Sequence, residues 1–320
     1  MQQSSNKVLT TRGGFLTQTF RDKGLGGVFR KIASAIRVGL PLFLLGRRTN
    51  KSVGAYFDLI TDDARLFYGD SFHFGYFPDS QKTLQEGLDA HTDLVAAMAG
   101  LAQARTVLDI GCGIGAPAVR MAQKYPQLQI TGINISREQV EQGKAFVAQH
   151  QLSHRIQIAV GNALALEHKD NSADAILCLE VAGDICVTRE QKRQLIQEMF
   201  RVLKPGGTLG FSDLVFKSAP AAEDEKTMRA ILYHEGKELI TDWAPLFRAQ
   251  GFEVVEQREI LSQTMPTWDH SIAVYENQKA EVEQRYGKRI AASTLQHLRR
   301  IPTLLARHAA FVVLSLKKPH

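Results

Sequence analysis

Val107–Pro117 reads VLDIGCGIGAP. An apolar run ends in glycines at alternate positions, Gly111, Gly113 and Gly115, and gives way at Ala116 to a helical pattern. Glycines there leave bare backbone for a ligand to lie against, and the head of the following helix offers unpaired N–H groups. The run also fits the dinucleotide fingerprint G-x-G-x-x-A through Gly111, Gly113 and Ala116. By itself it therefore defines a strand, a turn and a helix without naming the ligand.

Working outward, the same alternation continues. Strand-like runs lie at Thr106–Ile110, Leu128–Ile135, Ile156–Val160, Ala173–Leu179, Thr208–Val215, Glu253–Ile260 and Phe311–Leu316. Helical patterns lie at 81–102, Ala116–Lys124, Arg137–His150, Arg189–Leu203 and Lys237–Gln250. Strands alternating with helices predict βαβ units, a parallel sheet and helices on both faces. Lys217–Gly236 and Leu261–His308 stand outside the alternation; as insertions at strand ends they are expected to form a lid that selects the substrate. No internal repeat is visible.

The 320 residues carry 39 Lys and Arg against 33 Asp and Glu, a formal +6, with a pI near 9.2. Residues 1–50 hold nine of the basic side chains and one acid, Asp22, a local +8 that leaves the rest of the chain at −2. A near-neutral body argues against a nucleic-acid partner, which needs a basic face. Phe29, Ile32, Ala33, Ile36 and Leu40 fall at helical spacing among Arg30, Lys31 and Arg37, an amphipathic basic helix. It has two readings: packing on the body or a sister subunit, giving a homo-oligomer, and peripheral contact with an anionic membrane surface. Hydrophobic content of 44% and charged content of 22% exclude a disordered or polytopic membrane chain. Three cysteines, Cys112, Cys178 and Cys186, contain no C-x-x-C pair, so a reduced, cytoplasmic setting without a metal site is expected.

Four further features accompany the glycine loop. Asp109 sits two residues before Gly111; the second strand ends in GINIS with Gln139 following; the third is followed by Gly161-Asn162-Ala163; and LKPGG, Leu203–Gly207, precedes the fifth. In this order they resemble the class I S-adenosylmethionine-dependent methyltransferases over roughly Thr106–Phe216. The resemblance implies a Rossmann-like, doubly wound seven-stranded α/β sheet with its last strand antiparallel. It implies a domain at 106–320 with lid insertions at 217–236 and 261–308, behind a basic arm at 1–50 and an aromatic cap at 51–105. It also implies S-adenosylmethionine as cofactor. Asp109 and the loop of Gly111, Gly113 and Gly115 would hold its methionine end, Asn134 its ribose, and Asn162 and Ala163 its adenine, with Ile135 and Gln139 also at the cofactor. Asn134 and Asn162 stand where the family usually has acids, keeping hydrogen-bonding capacity without the charge.

The segment from Tyr56 to Phe77, YFDLITDDARLFYGDSFHFGYF, concentrates Tyr56, Phe57, Phe67, Tyr68, Phe72, Phe74, Tyr76 and Phe77. Such a cluster is either a small core under a cap or the wall of an apolar pocket. It resembles the N-terminal motif of the branch that includes tocopherol, sterol and prenyl-diphosphate C-methyltransferases and natural-product O-methyltransferases, through Tyr56, His73, Gly75 and Tyr76. In LCLEVAGDI, Glu180 matches a Glu that sterol and prenyl-diphosphate C-methyltransferases carry beside the reacting carbon; Gly183-Asp184 replaces the histidine that often follows. The resemblance implies Glu180, His73 and Tyr76 as catalytic, Tyr56 at the cofactor, and Phe72, Phe74, Asp184, Tyr233 and His234 around a small hydrophobic substrate. C-methylation of an isoprenoid-like acceptor is slightly favoured over O-methylation of a phenol or polyketide, with a non-catalytic binding protein as the other alternative. His297, Arg299, Arg300, Arg307 and His308 are either a phosphate-binding group or a solvated helix face.

Overall fold

The computed structural model describes residues 50–79, 82–186, 188–218, 221–224, 243–286 and 288–320. The expectations for residues 1–49, for Tyr233 and His234, and for most of the 217–236 insertion lie outside them. Two helices, α1 (Asn50–Tyr68) and α2 (Leu84–Met98), precede the sheet. Then come β1 (Thr106–Ile110), α3 (Ala116–Lys124), β2 (Gln129–Asn134), α4 (Arg137–Gln149), β3 (Ile156–Val160) and β4 (Ala173–Leu179). The short α5 (Ala182–Ile185), α6 (Arg189–Val202), β5 (Leu203–Phe216), α7 (Ala244–Gln250) and β6 (Glu253–Glu259) follow. Four helices, α8 (Leu261–Thr264), α9 (Pro266–Asn277), α10 (Lys279–Tyr286) and α11 (Lys288–His308), lead into β7 (Ala309–Lys317).

The seven strands run in the order β3-β2-β1-β4-β5-β7-β6. β1 to β5 pair in parallel, whereas β7 is antiparallel to both β5 and β6. Strand periodicity explains the two apolar layers: side chains at successive positions leave opposite faces. Val107, Ala175 and Leu177 join one buried cluster, with α2, α3 and the helices between β6 and β7. Leu108, Ile176 and Cys178 join the other, with α6 and α7. Both faces are therefore covered, as a parallel sheet requires.

Local chemistry sets the helix starts. Thr83 and Glu86 form a capping box at α2, and Thr188 with Gln191 forms another at α6. LKPGG stops α6 at its last turn and is drawn into β5, because Gly206 N–H donates to Lys318 O and Lys318 N–H to Gly207 O. β5 thus begins five residues earlier than its apolar run. The insertion between β6 and β7 is helical throughout its described length. It packs on α1 and α2, with its own Trp268 buried. None of the described helices is long and apolar enough to cross a membrane.

The strand order reverses between β1 and β4: from β1 the chain passes outward to β2 on one side and later returns to β4 on the other. In an open α/β sheet the crevice at that switch, beyond the carboxyl ends of the strands, is where ligands bind. The glycine loop leaves β1 there and Glu180 leaves β4.

Candidate functional site

A cleft opens at this switch point, with about 740 Å³ of empty space including solvent at its mouth, within the size range of small-molecule sites. Gly111 and Gly113 form one wall. Both lie in the left-handed region, at φ 71° and 58°, which only glycine adopts freely. Gly111 N–H and Cys112 N–H both donate to Ile133 O, at 2.8 and 3.1 Å, tying the loop to β2. Gly115 is a correction to the ligand loop. It is the left-handed entry residue of α3, and a Cβ on it would meet Ile158 Cδ1 at 2.5 Å, so it faces the sheet and is absent from the cleft wall.

The end of β2 supplies the amides. Asn134 Nδ2 donates to Gln139 Oε1 at 2.6 Å and to Gly113 O at 3.3 Å, while its Oδ1 accepts from Ser136 N–H at 3.2 Å. Asn134, Ile135 and Gln139 all reach the cleft, as do Asn162 and Ala163 after β3. This corner is pinned by a residue that the sequence did not single out. Asp58 of α1 accepts from Ser136 Oγ at 2.6 Å and from Glu138 N–H at 3.0 Å. α1 can lie this close because Gly54 has no Cβ; one there would stand 3.0 Å from Ile135 O. The cap therefore contributes Val53 and Phe57, one helical turn apart, to the wall. Tyr56 is not on it; its ring meets that of Phe57 edge-on at 5.3 Å.

The electrostatics are one-sided. Glu180 and Asp184 line the cleft, and among the described residues no Lys, Arg or His stands on its wall. Behind it, Asp109 is 3% exposed with Oδ2 unpartnered, and burial pushes its carboxyl up to about 7. Asp213 on β5, missed in the sequence, accepts from Gly183 N–H at 2.6 Å and is likewise pushed up by burial to about 7. Burial also drives Glu180 well above the usual carboxylate range, opposed by the Phe74 N–H that its Oε1 accepts at 2.8 Å. A pyrophosphate would be repelled here; a sulfonium or ammonium would offset the cluster of acids. Bare glycine backbone, three amides and a surplus of carboxylate fit S-adenosylmethionine.

Glu180 sits at φ 58° although it is not a glycine, a conformation that costs about 1–2 kcal/mol for an L-residue. Strain at a cleft wall is characteristic of functional positions. Behind Glu180 the aromatic segment departs from expectation. Among the described residues, Phe57 and Phe72 are the aromatics of this cluster that line the cleft. The Phe74 ring packs on Trp268 and Phe311 at 5.4 and 5.6 Å, and Tyr76 also packs against the core, its N–H donating to Gly87 O. Phe74, Tyr76 and the buried Phe77 thus belong to the core rather than to the cleft wall.

His73 is buried behind the wall rather than on it. Its Nδ1 lies 2.8 Å from Phe74 O, and that same oxygen is 2.7 Å from Nδ1 of His91 on α2. His73, His91 and Glu180 bring one ligand-type atom each within 4.8 Å of one another. His91 was legible only as a member of the apolar stripe Leu84, Leu88, His91, Val95. Asp184 reaches the cleft as expected. The basic group on α11 does not: Arg300 pairs with Glu223 and Asp224 at 3.3 and 3.2 Å, and Arg299 with Glu276. Cys112 is a buried thiol pushed well up by burial, in keeping with a small hydrophobe under the turn.

Residues 107–207 match the family model of a methyltransferase domain. The chain is 27% identical over 277 residues to 27-O-demethylrifamycin SV methyltransferase of Amycolatopsis mediterranei, covering 85% of this chain and 98% of the relative. It is 28% identical over 211 residues to sterol 24-C-methyltransferase of Aspergillus fumigatus, covering 64% of this chain and 54% of the relative. Among solved structures, that of the [4+2]-cyclase SpnF superimposes with a TM-score of 0.71 at 28% identity, covering 85% of this chain and 97% of the other. A glycine loop that faces acids has no use for a pyrophosphate, and the family model and the two methyltransferase relatives point the same way. The chain belongs to the class I S-adenosylmethionine-dependent methyltransferases, with S-adenosylmethionine as its cofactor.

Proposed function

We propose that this methyltransferase acts on a small hydrophobic metabolite and that Glu180 takes the proton the acceptor loses. Bound S-adenosylmethionine supplies an electrophilic methyl group on a sulfonium and a neutral thioether leaving group. The chain's own contribution is to hold the partners in line and exclude water. In this reading Asp109 and the Gly111–Gly113 backbone take the methionine end, Asn134 and Gln139 the ribose, and Asn162 with Ala163 the adenine. Val53, Phe57 and Phe72 close the apolar side.

The observation that carries the reading is Glu180: a part-buried carboxylate in a strained backbone conformation, on a cleft wall whose described residues include no Lys, Arg or His. An isoprenoid-like carbon acceptor leaves a cation whose proton Glu180 removes; this is favoured by the matching Glu of the C-methylating branch. A hydroxyl acceptor is the second reading, favoured by the likeness to the rifamycin methyltransferase across nearly its whole length. Incubation with trideuteromethyl cofactor and a panel of prenyl diphosphates, sterols, phenols and polyketide alcohols, read by mass spectrometry, separates them. Label on carbon supports the first reading and label on oxygen the second. Full turnover by Glu180→Gln would sink the role given to this carboxylate, because general-base losses run to roughly 10²–10⁴-fold.

A further inference from the structure

We propose that His91 is the positioning residue of Glu180, a neutral N–H donor that fixes the carboxylate through the backbone of Phe74. A carbonyl oxygen only accepts, so the imidazoles 2.7 and 2.8 Å from Phe74 O both present Nδ1–H to it. Phe74 N–H in turn donates to Glu180 Oε1 at 2.8 Å, and His91 Nδ1 itself lies 3.4 Å from that oxygen. Phe74 is therefore gripped at its carbonyl by two rings and grips Glu180 with its amide. One carboxylate oxygen is committed to this clamp, and the other is outside it.

His91 is fully buried, packs edge-on against Phe311 at 5.4 Å, and has no partner at Nε2. A proton arriving at Nδ1 has nowhere to leave by, so the ring orients and does not relay. Burial and the neighbouring His73 press its pKa down to about 3, which keeps it neutral in the working range. The groups that set the charge of Glu180 are Asp184 on α5, Asp213 on β5, Tyr68 on α1, and the two histidines. The first two carboxylates raise its proton affinity, so N–H donors are what remain to lower it.

The proposal rests on the reading of Glu180 as the base for its consequence, but its test needs neither cofactor nor acceptor. Nitrogen-15 histidine spectra of the full chain should show His91 as the Nδ1–H tautomer, unmoved between pH 5 and pH 8, with a resonance displaced by Glu180→Gln. In protein labelled at the glutamate carboxyl, His91→Phe should raise the titration of Glu180 by roughly one unit, a tenfold gain in proton affinity. His91→Asn, which restores a donor near Nδ1, should bring it back. A Glu180 titration unmoved by His91→Phe in a folded variant overturns the proposal and leaves His91 as packing. A His91 that titrates near 6.5 overturns it as well. So does a stoichiometric divalent ion, measured by mass spectrometry, whose removal by chelator shifts the His91 signal. A blank methylation panel would count against the proposed reaction and leave the clamp intact.

Discussion

Glu180 combines two costs at one position: a left-handed backbone and a carboxyl that burial pushes well above the carboxylate range. An acid whose folded pKa lies above its unfolded value destabilises the fold as pH rises from the unfolded toward the folded value, and the penalty is absent in acid. Glu180→Gln keeps an acceptor for Phe74 N–H and removes the charge. Thermal melts without cofactor should show this variant melting about 2–5 °C above the parent at pH 8, with no gain near pH 4. A variant that melts lower at pH 8 would show that the carboxylate stabilises the fold, contrary to this account. Glu180 itself was legible, since a carboxylate just past a parallel strand lies where such sheets bind ligands. Its backbone strain was not, because VAGDI carries no turn signal that would place a left-handed residue ahead of it. His91 was hidden for a different reason: at helical spacing with Leu84, Leu88 and Val95, a buried histidine reads as one more core position.

At the scale of elements, the cleft depends on how α1 meets the head of α4. Asp58 caps α4 from outside by accepting from Ser136 Oγ and Glu138 N–H. Asp62 and Arg65 reach Gln142 on the same helix, at 3.0 and 3.1 Å. Asp58→Ala should cost about 1 kcal/mol, the usual worth of a cap, and lower the melting temperature by about 2–4 °C. Because Ile135 and Gln139 are cleft residues at that helix head, cofactor affinity measured by calorimetry should fall with it. Unchanged affinity would mean that α1 is a passive cover. The α1 surface that docks was not read from the sequence because aromatic content drew attention to Tyr56 and Phe74. The decisive feature was instead the i, i+4 pair Val53 and Phe57 on either side of Gly54. The sheet was far more legible, since β1, β3 and β4 each coincide with an apolar run bounded by turn residues. Where strands run longer than their apolar stretches, at β5 and β7, the extra residues are held by pairing partners far away in sequence rather than by their own composition.

At the scale of the whole molecule, buried titratable groups set the pH response. Asp109 and Asp213, raised to about 7, remove stability as pH rises from about 4 to 7. His73 and His91, lowered to about 4 and about 3, remove it as pH falls below their unfolded value near 6.5. Between pH 6.5 and 7 the histidine contribution fades while both acids are still ionising, so the protein without cofactor should lose stability there. A cation bound at the acids should offset that loss. The most direct test is a melting experiment at pH 8 on the parent and Asp109→Asn, each with and without saturating S-adenosylmethionine. The parent should gain about 2.7 kcal/mol at a ligand concentration 100 times Kd. Asp109→Asn should melt above the parent without ligand, being free of an unpaired buried charge, and gain little when ligand is added. Equal gains in both proteins would contradict the account by showing that the cofactor binds without this carboxylate.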